Sequence, residues 1–172
     1  MKPKALDLCC GVGGWTRGLL ETGWEVIGFD VTAFPGYPAT LYRTDVRQVN
    51  GADFGPVQLV VASPPCQEFS RHDQPWTRAK NPPAPDLSIW RACERIAREC
   101  RAPVVIENVR GAQRFMGRSR LNCGAFHLWG DVPALVPHVR YRKKESFGSK
   151  DPHLRAVIPP ELARWIGQVF HP

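Results

Sequence analysis

The chain has 172 residues, of which 43% are hydrophobic and 23% charged, and it carries a formal net charge of +7. This length suits a single domain, residues 1–172, with a hydrophobic core. No apolar run approaches the roughly 20 residues of a membrane helix, and the first residues lack the apolar core of a signal peptide, so we expect a cytoplasmic protein without a membrane segment. The six cysteines form no CxxC pair, which argues against a zinc site, and a disulfide framework is not expected in a cytosolic chain of this size.

Cationic residues concentrate in two stretches, residues 110–120 and 140–155, with aromatic residues among them. This pattern is typical of surfaces that bind nucleic acid, because phosphates attract cations and bases stack on aromatic rings. A solvated basic rim without a partner is the alternative interpretation. The charge pattern therefore favours an anionic partner without fixing which one.

The first half of the chain predicts four short strands and one helix. Short apolar runs indicate buried strands, and the glycine-rich turn "GVGG" separates the first strand from the helix. The fourth strand must end before Pro64 and Pro65, because proline cannot donate a hydrogen bond to a sheet. The predicted strands cover residues 4–10, 24–30, 39–46 and 57–63, and the helix covers residues 15–23.

The second half predicts a longer helix, two strands and a closing helix. In "PDLSIWRACERIAREC" (85–100), apolar residues recur every three or four positions, and Asp86 is placed to cap the start. "APVVIENV" (102–109) and "CGAFHLWG" (123–130) read as strands, and "PPELARWIGQVF" (159–170) as a helix. Strands that alternate with helices predict an α/β fold with a mostly parallel sheet and helices on both faces.

Two segments have no predicted regular structure. Residues 71–85 form part of a loop longer than compact domains usually carry, and we expect it to act as a mobile lid. Residues 132–155 are irregular, basic and marked by prolines. We find no sign of a second domain.

Polar residues stand at or near the ends of five successive predicted strands. The carboxyl ends of parallel strands meet at one edge of the sheet, where ligands bind in such folds. One polar strand end would carry little information, but five in succession predict a site. The residues are Asp7, Asp30, Asp45, Cys66 and Glu107.

The residues around the first three strands favour an adenosine-bearing cofactor. "DLCCGVGG" allows a close backbone approach to a ligand, yet it matches neither the GxGxxG pattern of dinucleotide sites nor a phosphate-binding P-loop. Asp30 suits the paired hydroxyls of a ribose, and Asp45 suits the amino group of adenine. Together they point to a cofactor such as S-adenosylmethionine.

Cys66 and Glu107 supply the groups needed to modify a cytosine ring. Carbon 5 of cytosine is a poor nucleophile until a thiolate adds to carbon 6, which is a form of covalent catalysis. An acid at ring nitrogen 3 stabilises the charge that develops there. The alternative for Glu107 is a salt-bridged acid at a strand end.

Five segments of the chain resemble motifs of the cytosine-5 DNA methyltransferase family. "SPPCQEFS" is similar to its catalytic loop, "DLCCGVGG" to its cofactor loop and "ENV" to its acid motif. "MGRSR" resembles its arginine motif, and "RAVIPPELARWIG" resembles its closing helix. The resemblance implies a Rossmann-like S-adenosylmethionine-dependent methyltransferase fold, in a truncated form, which transfers a methyl group to carbon 5 of cytosine in DNA through a covalent Cys66 adduct.

The resemblance also implies a role for particular residues. Cys66 would be the nucleophile and Glu107 the acid, while Arg120, together with Arg118, would contact the carbonyl oxygen of cytosine. Residues 71–85 would be a mobile catalytic loop. The cofactor site would be formed by Asp7, Cys9, Gly11, Gly14, Asp30, Asp45 and Pro65. Nucleic acid would be bound by Arg71, Arg78, Lys80, Arg110, Arg142, Lys143 and Lys144.

The chain departs from the family pattern at three places. Met116 stands where the arginine motif has glutamine, and Leu154 and Arg155 stand where the closing motif begins with glycine and asparagine. The altered closing motif leaves open a modified S-adenosylmethionine and a different transferred group. Residues 132–155 stand in place of a large target recognition region, which suggests a minimal, phage-like core in a bacterial or phage-infected cell.

Several alternatives stay open at this point. The same chemistry could act on RNA or on a free cytosine nucleotide, or the chain could be an inactive relative that binds nucleic acid. The basic charge favours a polymer over a nucleotide. The sequence does not distinguish double-stranded from single-stranded DNA, does not give the oligomeric state, and leaves open a partner protein that supplies target recognition.

Overall fold

A computed structural model of the chain describes residues 1–78, 80–134 and 157–172. Within these ranges it has seven strands. They are β1 (Lys4–Leu8), β2 (Glu25–Asp30), β3 (Thr40–Arg43), β4 (Leu59–Ala62), β5 (Val104–Asn108), β6 (Leu121–Cys123) and β7 (Phe126–Gly130).

Six α-helices and three short 3-10 helices accompany the strands in the same ranges. The α-helices are α1 (Gly14–Glu21), α2 (Gln67–Asp73), α3 (Pro75–Arg78), α4 (Ser88–Cys100), α5 (Gln113–Met116) and α6 (Pro160–Val169). The 3-10 helices are Val46–Gln48, Gly51–Phe54 and Arg110–Ala112.

The strands form one sheet in the order β3-β2-β1-β4-β5-β7-β6. Strands β1 to β5 are parallel, while β7 is antiparallel to both β5 and β6. The order reverses between β1 and β4, and the carboxyl ends of these strands open a crevice at one edge. The predicted mostly parallel α/β fold is confirmed.

Both faces of the sheet are covered by apolar side chains. Alternate residues of a strand point to opposite faces, so Val60 and Ala62 of β4 pack towards α4, whereas Leu59 and Val61 pack towards α1 and α6. On the α4 face, Trp90, Cys93 and Ile96 are buried. On the other face the core includes Trp15, Leu19, Leu162 and Ile166. This double coverage explains why the central strands are apolar on both sides.

The structure differs from the sequence prediction in two segments. Residues 71–85 are not a continuous loop, because they include the end of α2 and all of α3. Strand β6 was not predicted, because its three residues are too few to show the alternation of a strand. It forms by pairing with β7 across a turn in which Gly124 has a φ of +65°. The basic region 132–155 lies outside the described residues beyond Ala134. None of the helices in the described ranges is both long enough and apolar enough to cross a membrane.

Candidate active site

The segment that carries Cys66 is held at three points. The Ser63 amide donates to the carbonyl oxygen of Leu8 (3.0 Å), and the buried side-chain amide of Asn108 donates to the carbonyl oxygen of Pro64 (2.9 Å). Beyond the prolines, Cys66 is the residue that precedes α2, and its carbonyl oxygen accepts from the Ser70 amide (2.9 Å). The thiol is therefore fixed between the end of β4 and the start of a helix.

Glu107 is a buried acid at the carboxyl end of β5, the strand beside β4. Burial raises the pKa of its carboxyl group from 4.5 to about 8, and a hydrogen bond from Ser63 opposes part of this rise. Ser63 is in turn oriented by Trp15, whose indole N–H donates to the Ser63 hydroxyl (3.0 Å). Glu107 is therefore mostly protonated at neutral pH and can donate a proton.

The Cys66 thiol and Glu107 are electrostatically coupled. Burial raises the pKa of the thiol, and the negative charge of ionised Glu107 raises it further, while hydrogen bonding from its own backbone and from Ser70 lowers it. Because Glu107 keeps its proton at neutral pH, the repulsion that it would exert on a thiolate is largely absent. At neutral pH the pair is therefore a protonated thiol beside a neutral acid, and the thiol must lose its proton before it can act as a nucleophile.

The glycine-rich turn after β1 contains residues in the left-handed backbone conformation. Cys9 and Gly11 have φ angles of 56° and 51° in the left-handed region. A Cβ atom at Gly11 would meet no atom within 4 Å, so open space lies beside this residue. Asp30 accepts from the Gly11 amide through Oδ2 (3.0 Å) and from the Thr32 amide through Oδ1 (2.9 Å). The turn and the acid thus meet at the crevice.

Gly14 and Asp7 lie behind this turn and face the protein interior. A Cβ atom at Gly14 would come within 2.6 Å of the Ile158 backbone nitrogen, so this glycine allows the chain before α6 to pack closely. Asp7 is completely buried, and its Oδ2 accepts from the Thr16 hydroxyl (2.6 Å) and amide (3.2 Å). Burial raises the pKa of Asp7 to about 7. Neither residue is exposed to the crevice as the resemblance implied.

Asp45 and Pro65 lie on the α4 side of the crevice. Asp45 precedes a 3-10 helix and is only partly buried, and both its carboxylate oxygens bind the Arg47 guanidinium, which lowers the pKa of Asp45. Arg47 also donates to the Ser88 hydroxyl at the start of α4 (3.3 Å). Pro65 is exposed and lines a cavity of about 230 Å³ between α2 and the start of α4.

The structure does not bring Arg120 together with Cys66 and Glu107. Glu107 pairs with Leu128, which lies on the α1 and α6 face of the sheet. Arg120 precedes Leu121, the partner of Leu128, so it falls on the opposite face. There it lines a cavity of about 400 Å³ with Arg98 and Arg101 of the α4 end. One step along a strand changes the face, so motif spacing alone does not fix the face on which this residue lies.

Arg118 is exposed in the loop between α5 and β6, and a polar network anchors that loop. The Ser119 amide donates to Gln113 Oε1 (3.2 Å), and the Ser119 hydroxyl contacts Nδ1 of His127 (2.9 Å). Asn122 contacts the other ring nitrogen of His127 (2.9 Å), and burial lowers the pKa of this histidine. The neutral ring therefore bridges β6, β7 and the arginine loop.

The predicted nucleic-acid contacts divide into described and undescribed residues. Arg71 on α2 and Lys80 after α3 are exposed, and Arg110 forms an ion pair with Asp73 of α2 (3.1 Å). Arg78 ends α3, but its side chain lies outside the described part of the chain. Outside it as well are Arg142, Lys143 and Lys144, with Leu154 and Arg155 of the closing motif.

Sequence reasoning missed the residues that position the pair. Asn108 follows Glu107 directly, and its place at the end of the apolar run of β5 was the available signal. Ser63 and Trp15 gave no such signal, because their contact joins positions 48 residues apart. All six cysteines are free. Among the residues that the structure describes, no three His, Cys, Asp or Glu side chains come together to hold a metal.

The sheet order and the crevice define the fold of an S-adenosylmethionine-dependent methyltransferase. The family model for C-5 cytosine-specific DNA methylases matches residues 3–122, well over half of the chain. The chain therefore belongs to the C-5 cytosine-specific DNA methylase family, and S-adenosylmethionine is its cofactor.

Solved structures resemble the chain over about two thirds of its length. A protein from an E. coli prophage, described as a DNA modification methyltransferase, is 20% identical, with a TM-score of 0.52 over 67% of this chain and 34% of its own. This likeness shows the fold. The DNMT2 of Spodoptera frugiperda is also 20% identical, with a TM-score of 0.46 over 66% and 37%. The chain thus spans about a third of the length of these proteins. No curated protein sequence matches it.

Proposed function

We propose that the chain transfers a methyl group from S-adenosylmethionine to carbon 5 of cytosine in DNA, through a covalent bond between Cys66 and the base. The observation that carries this proposal is the pair at the ends of β4 and β5. Cys66 precedes a helix, and next to it Glu107 is buried with a pKa of about 8. A nucleophile beside a neutral acid is the arrangement that activation of a cytosine ring requires.

The proposed steps use the two side chains in turn. The Cys66 thiol loses its proton to solvent and the thiolate adds to carbon 6 of the ring, while Glu107 donates its proton to nitrogen 3, so that carbon 5 becomes nucleophilic. When bound, S-adenosylmethionine supplies an electrophilic methyl group. Solvent water then takes the proton from carbon 5, which expels the Cys66 thiolate from carbon 6, and nitrogen 3 returns its proton to Glu107. Asn108 would hold the Cys66 segment in position during these steps, and Ser63 would hold Glu107.

The residues at the first three strands fit the cofactor. The space beside Gly11 is open, and the Asp30 carboxylate lies at the same turn. Asp30 would accept hydrogen bonds from the ribose hydroxyls, and Asp45 from the adenine amino group. Cys9 and Pro65 would complete the walls. Gly14 and Asp7 would support the cofactor turn from the protein interior. Gly14 would do so by allowing close packing, and Asp7 by holding the first turn of α1.

DNA as the substrate is supported by family membership and by charge. The chain is basic, and the exposed residues Arg71 and Lys80 stand on the segment that follows Cys66. Phosphate contacts of this kind orient a strand but do not read its sequence. Selectivity would then be weak in the isolated chain, or would depend on a partner protein.

Mass spectrometry of DNA from cells that express the protein tests the function directly, since it gives both the modified base and the added mass. We expect 5-methylcytosine with the wild type. Cys66→Ser should reduce transfer by more than about 1000-fold, because an alcohol is a far weaker nucleophile than a thiolate at neutral pH. Cys100→Ser, on α4 away from the crevice, is the matched control. Near-normal transfer by Cys66→Ser would contradict the covalent mechanism, and methylated RNA with unmodified DNA would contradict the substrate.

A further inference from the structure

Three arginines from separate parts of the chain line one cavity at the amino end of β5. Arg98 and Arg101 stand at the end of α4, Arg120 precedes β6, and the cavity that they share has a volume of about 400 Å³. Val104, the first residue of β5, and Gly130, the last residue of β7, also line it. This arginine cavity (Arg98, Arg101 and Arg120) therefore lies at the edge of the sheet opposite to the crevice.

Backbone hydrogen bonds hold the arginines at the cavity. The Arg120 amide donates to the carbonyl oxygen of Leu128 (2.8 Å), which ties this residue to β7. The Arg101 amide donates to the carbonyl oxygen of Arg98 (3.1 Å), and Arg101 has a φ of 53° in the left-handed region. Glycine adopts this conformation most easily. The chain thus accepts backbone strain at a position where it carries a cation.

Ion pairs do not neutralise the arginine cavity. Its three arginines are exposed, and none of them forms an ion pair within the described part of the chain. Two acids also line the cavity, but each accepts a hydrogen bond from another group. Glu94 accepts from the Trp90 indole N–H (3.1 Å), and Asp131 accepts from the Val104 amide (2.9 Å). Three guanidinium groups and two carboxylates leave the cavity positively charged.

Helix stability explains only part of this cluster. Cations are favourable at the carboxyl end of a helix, because the backbone dipoles carry partial negative charge there. This effect accounts for Arg98 and Arg101 without any ligand. It does not account for Arg120, which reaches the same cavity from another part of the chain. Guanidinium groups present paired N–H donors that match the oxygens of a phosphate, so an anion of this kind suits the cluster.

The distance between the arginine cavity and the crevice suits a DNA strand. Val104 and Glu107 are three residues apart on β5, so the cavity lies roughly 10 Å from the acid along the strand direction. One strand of DNA advances about 3.4 Å per nucleotide. A strand whose cytosine enters the crevice therefore needs about three nucleotides to bring a phosphate to the cavity.

We propose that the arginine cavity binds a backbone phosphate of the substrate DNA strand, about three or more nucleotides from the target cytosine. This inference rests on the proposed function, because it takes DNA as the ligand. The contact would anchor the strand and carry no sequence information. Arg120 would then act on the DNA backbone, instead of on the cytosine as the resemblance implies.

The test compares two double variants that have the same net charge. Arg101→Gln with Arg120→Gln removes two cations of the cavity, while Lys2→Gln with Arg17→Gln removes two exposed cations elsewhere. Fluorescence anisotropy over a salt series measures binding of a labelled single strand with about eight nucleotides on each side of the cytosine. The cavity variant should bind about 10- to 100-fold more weakly at about 0.1 M salt, and its slope of log affinity against log salt should be smaller by about 1.4. The control variant should lose less than about threefold.

The length of the strand gives a second measurement. A strand with only about two nucleotides on each side of the cytosine is too short to reach the cavity. The wild type and the cavity variant should therefore bind this short strand equally. Their single-turnover rates at saturating DNA and their affinities for S-adenosylhomocysteine should also be equal, because the cavity lies away from the reacting atoms.

Several results would overturn the phosphate contact. Equal losses in the two double variants would show a general effect of charge, and a loss that is the same for long and short strands would exclude a contact beyond the cytosine. Slower single turnover by Arg120→Gln at saturating DNA would place this residue at the base. Tighter binding of the matched RNA strand would exclude DNA as the ligand. If the long strand bound as expected but no strand were methylated, the proposed function would fail while the phosphate contact stood.

Discussion

The two halves of the crevice hold their carboxyl groups in opposite ways. At β4 and β5, burial keeps Glu107 neutral, with a pKa of about 8. At β2 and β3, Asp30 and Asp45 are partly exposed and accept hydrogen bonds from the Gly11 amide and the Arg47 side chain. The first half therefore holds the proton that the proposed mechanism uses. The carboxylates of the second half already accept hydrogen bonds from the chain. The hydroxyl and amino groups of the cofactor must therefore replace these donors or bind beside them.

This difference predicts where substitutions should alter rate and where they should alter binding. Changes at the β4–β5 half should lower turnover and change its pH dependence, with the cofactor affinity unchanged. Changes at the β2–β3 half should lower cofactor affinity first. Substitutions of residues behind the glycine-rich turn, such as Asp7, should alter only the free energy of unfolding.

The largest effect is expected for Glu107→Gln. An amide cannot donate a proton to nitrogen 3 in the way an acid does, and loss of general acid catalysis typically costs about 10²–10⁴-fold. The wild-type rate should fall as the pH rises above about 8, because Glu107 loses its proton and its charge then raises the pKa of the Cys66 thiol. The residual rate of the variant should keep rising with pH as the thiol ionises.

Single-turnover rates over a pH series measure both effects. Glu25→Gln is the control, because Glu25 is an exposed acid at the opposite end of the parallel strands. A wild-type rate that stays level from pH 7 to pH 9.5 would show that Glu107 is not needed as a neutral acid. It would also remove the contrast between the two halves of the crevice.

Asp30→Ala should have the next largest effect, on binding. Losing a hydrogen bond to a charged group costs about 1.5–3 kcal/mol, which is roughly a 10- to 150-fold rise in the dissociation constant of S-adenosylhomocysteine. DNA affinity should change little. Calorimetric titration measures the affinity for S-adenosylhomocysteine, and binding of a labelled duplex measures the affinity for DNA. Asp53→Ala, at an exposed acid, is the control. An unchanged cofactor affinity would show that Asp30 only closes the turn through Gly11.

The positions of polar residues at the strand ends could be predicted from the sequence, but the direction of some side chains could not. Asp30, Cys66 and Glu107 all reach the crevice because strands β2, β4 and β5 end where the apolar runs end. For Arg120, successive residues of a strand alternate between faces, and the face is fixed by register rather than by motif spacing. Asp7 lies within β1, before its end, and its side chain contacts Thr16 in the protein interior. A strand buried on both sides, such as β1, shows no alternation from which its faces could be read.

Helix α2 illustrates a second limit. "EFSRHD" contains no strong apolar period, and the residues that fasten it to the core, Gly111 and Phe115, come some 40 residues later in the chain. Tertiary contacts therefore form this helix more than local propensity does.

Asp7→Asn should have the smallest effect, and only on stability. Asp7 is completely buried, its Oδ1 has no hydrogen-bond partner among the described residues, and its pKa is raised by burial from 3.8 to about 7. A group whose pKa is raised on folding stabilises the protein below its unfolded pKa, and this contribution is lost as the pH rises through the folded value. Between about pH 4 and pH 7, one such group lowers the free energy of unfolding by about 1.4 kcal/mol per pH unit.

The asparagine of the variant can still accept a hydrogen bond from Thr16 and carries no charge. Denaturant unfolding at pH 5.5 and 6.5 should therefore show a smaller loss of unfolding free energy in the variant than in the wild type, with Asp53→Asn unchanged from the wild type. Equal losses in the variant and the wild type would mean that Asp7 is already ionised in the folded protein, and that burial behind the glycine-rich turn does not hold its proton.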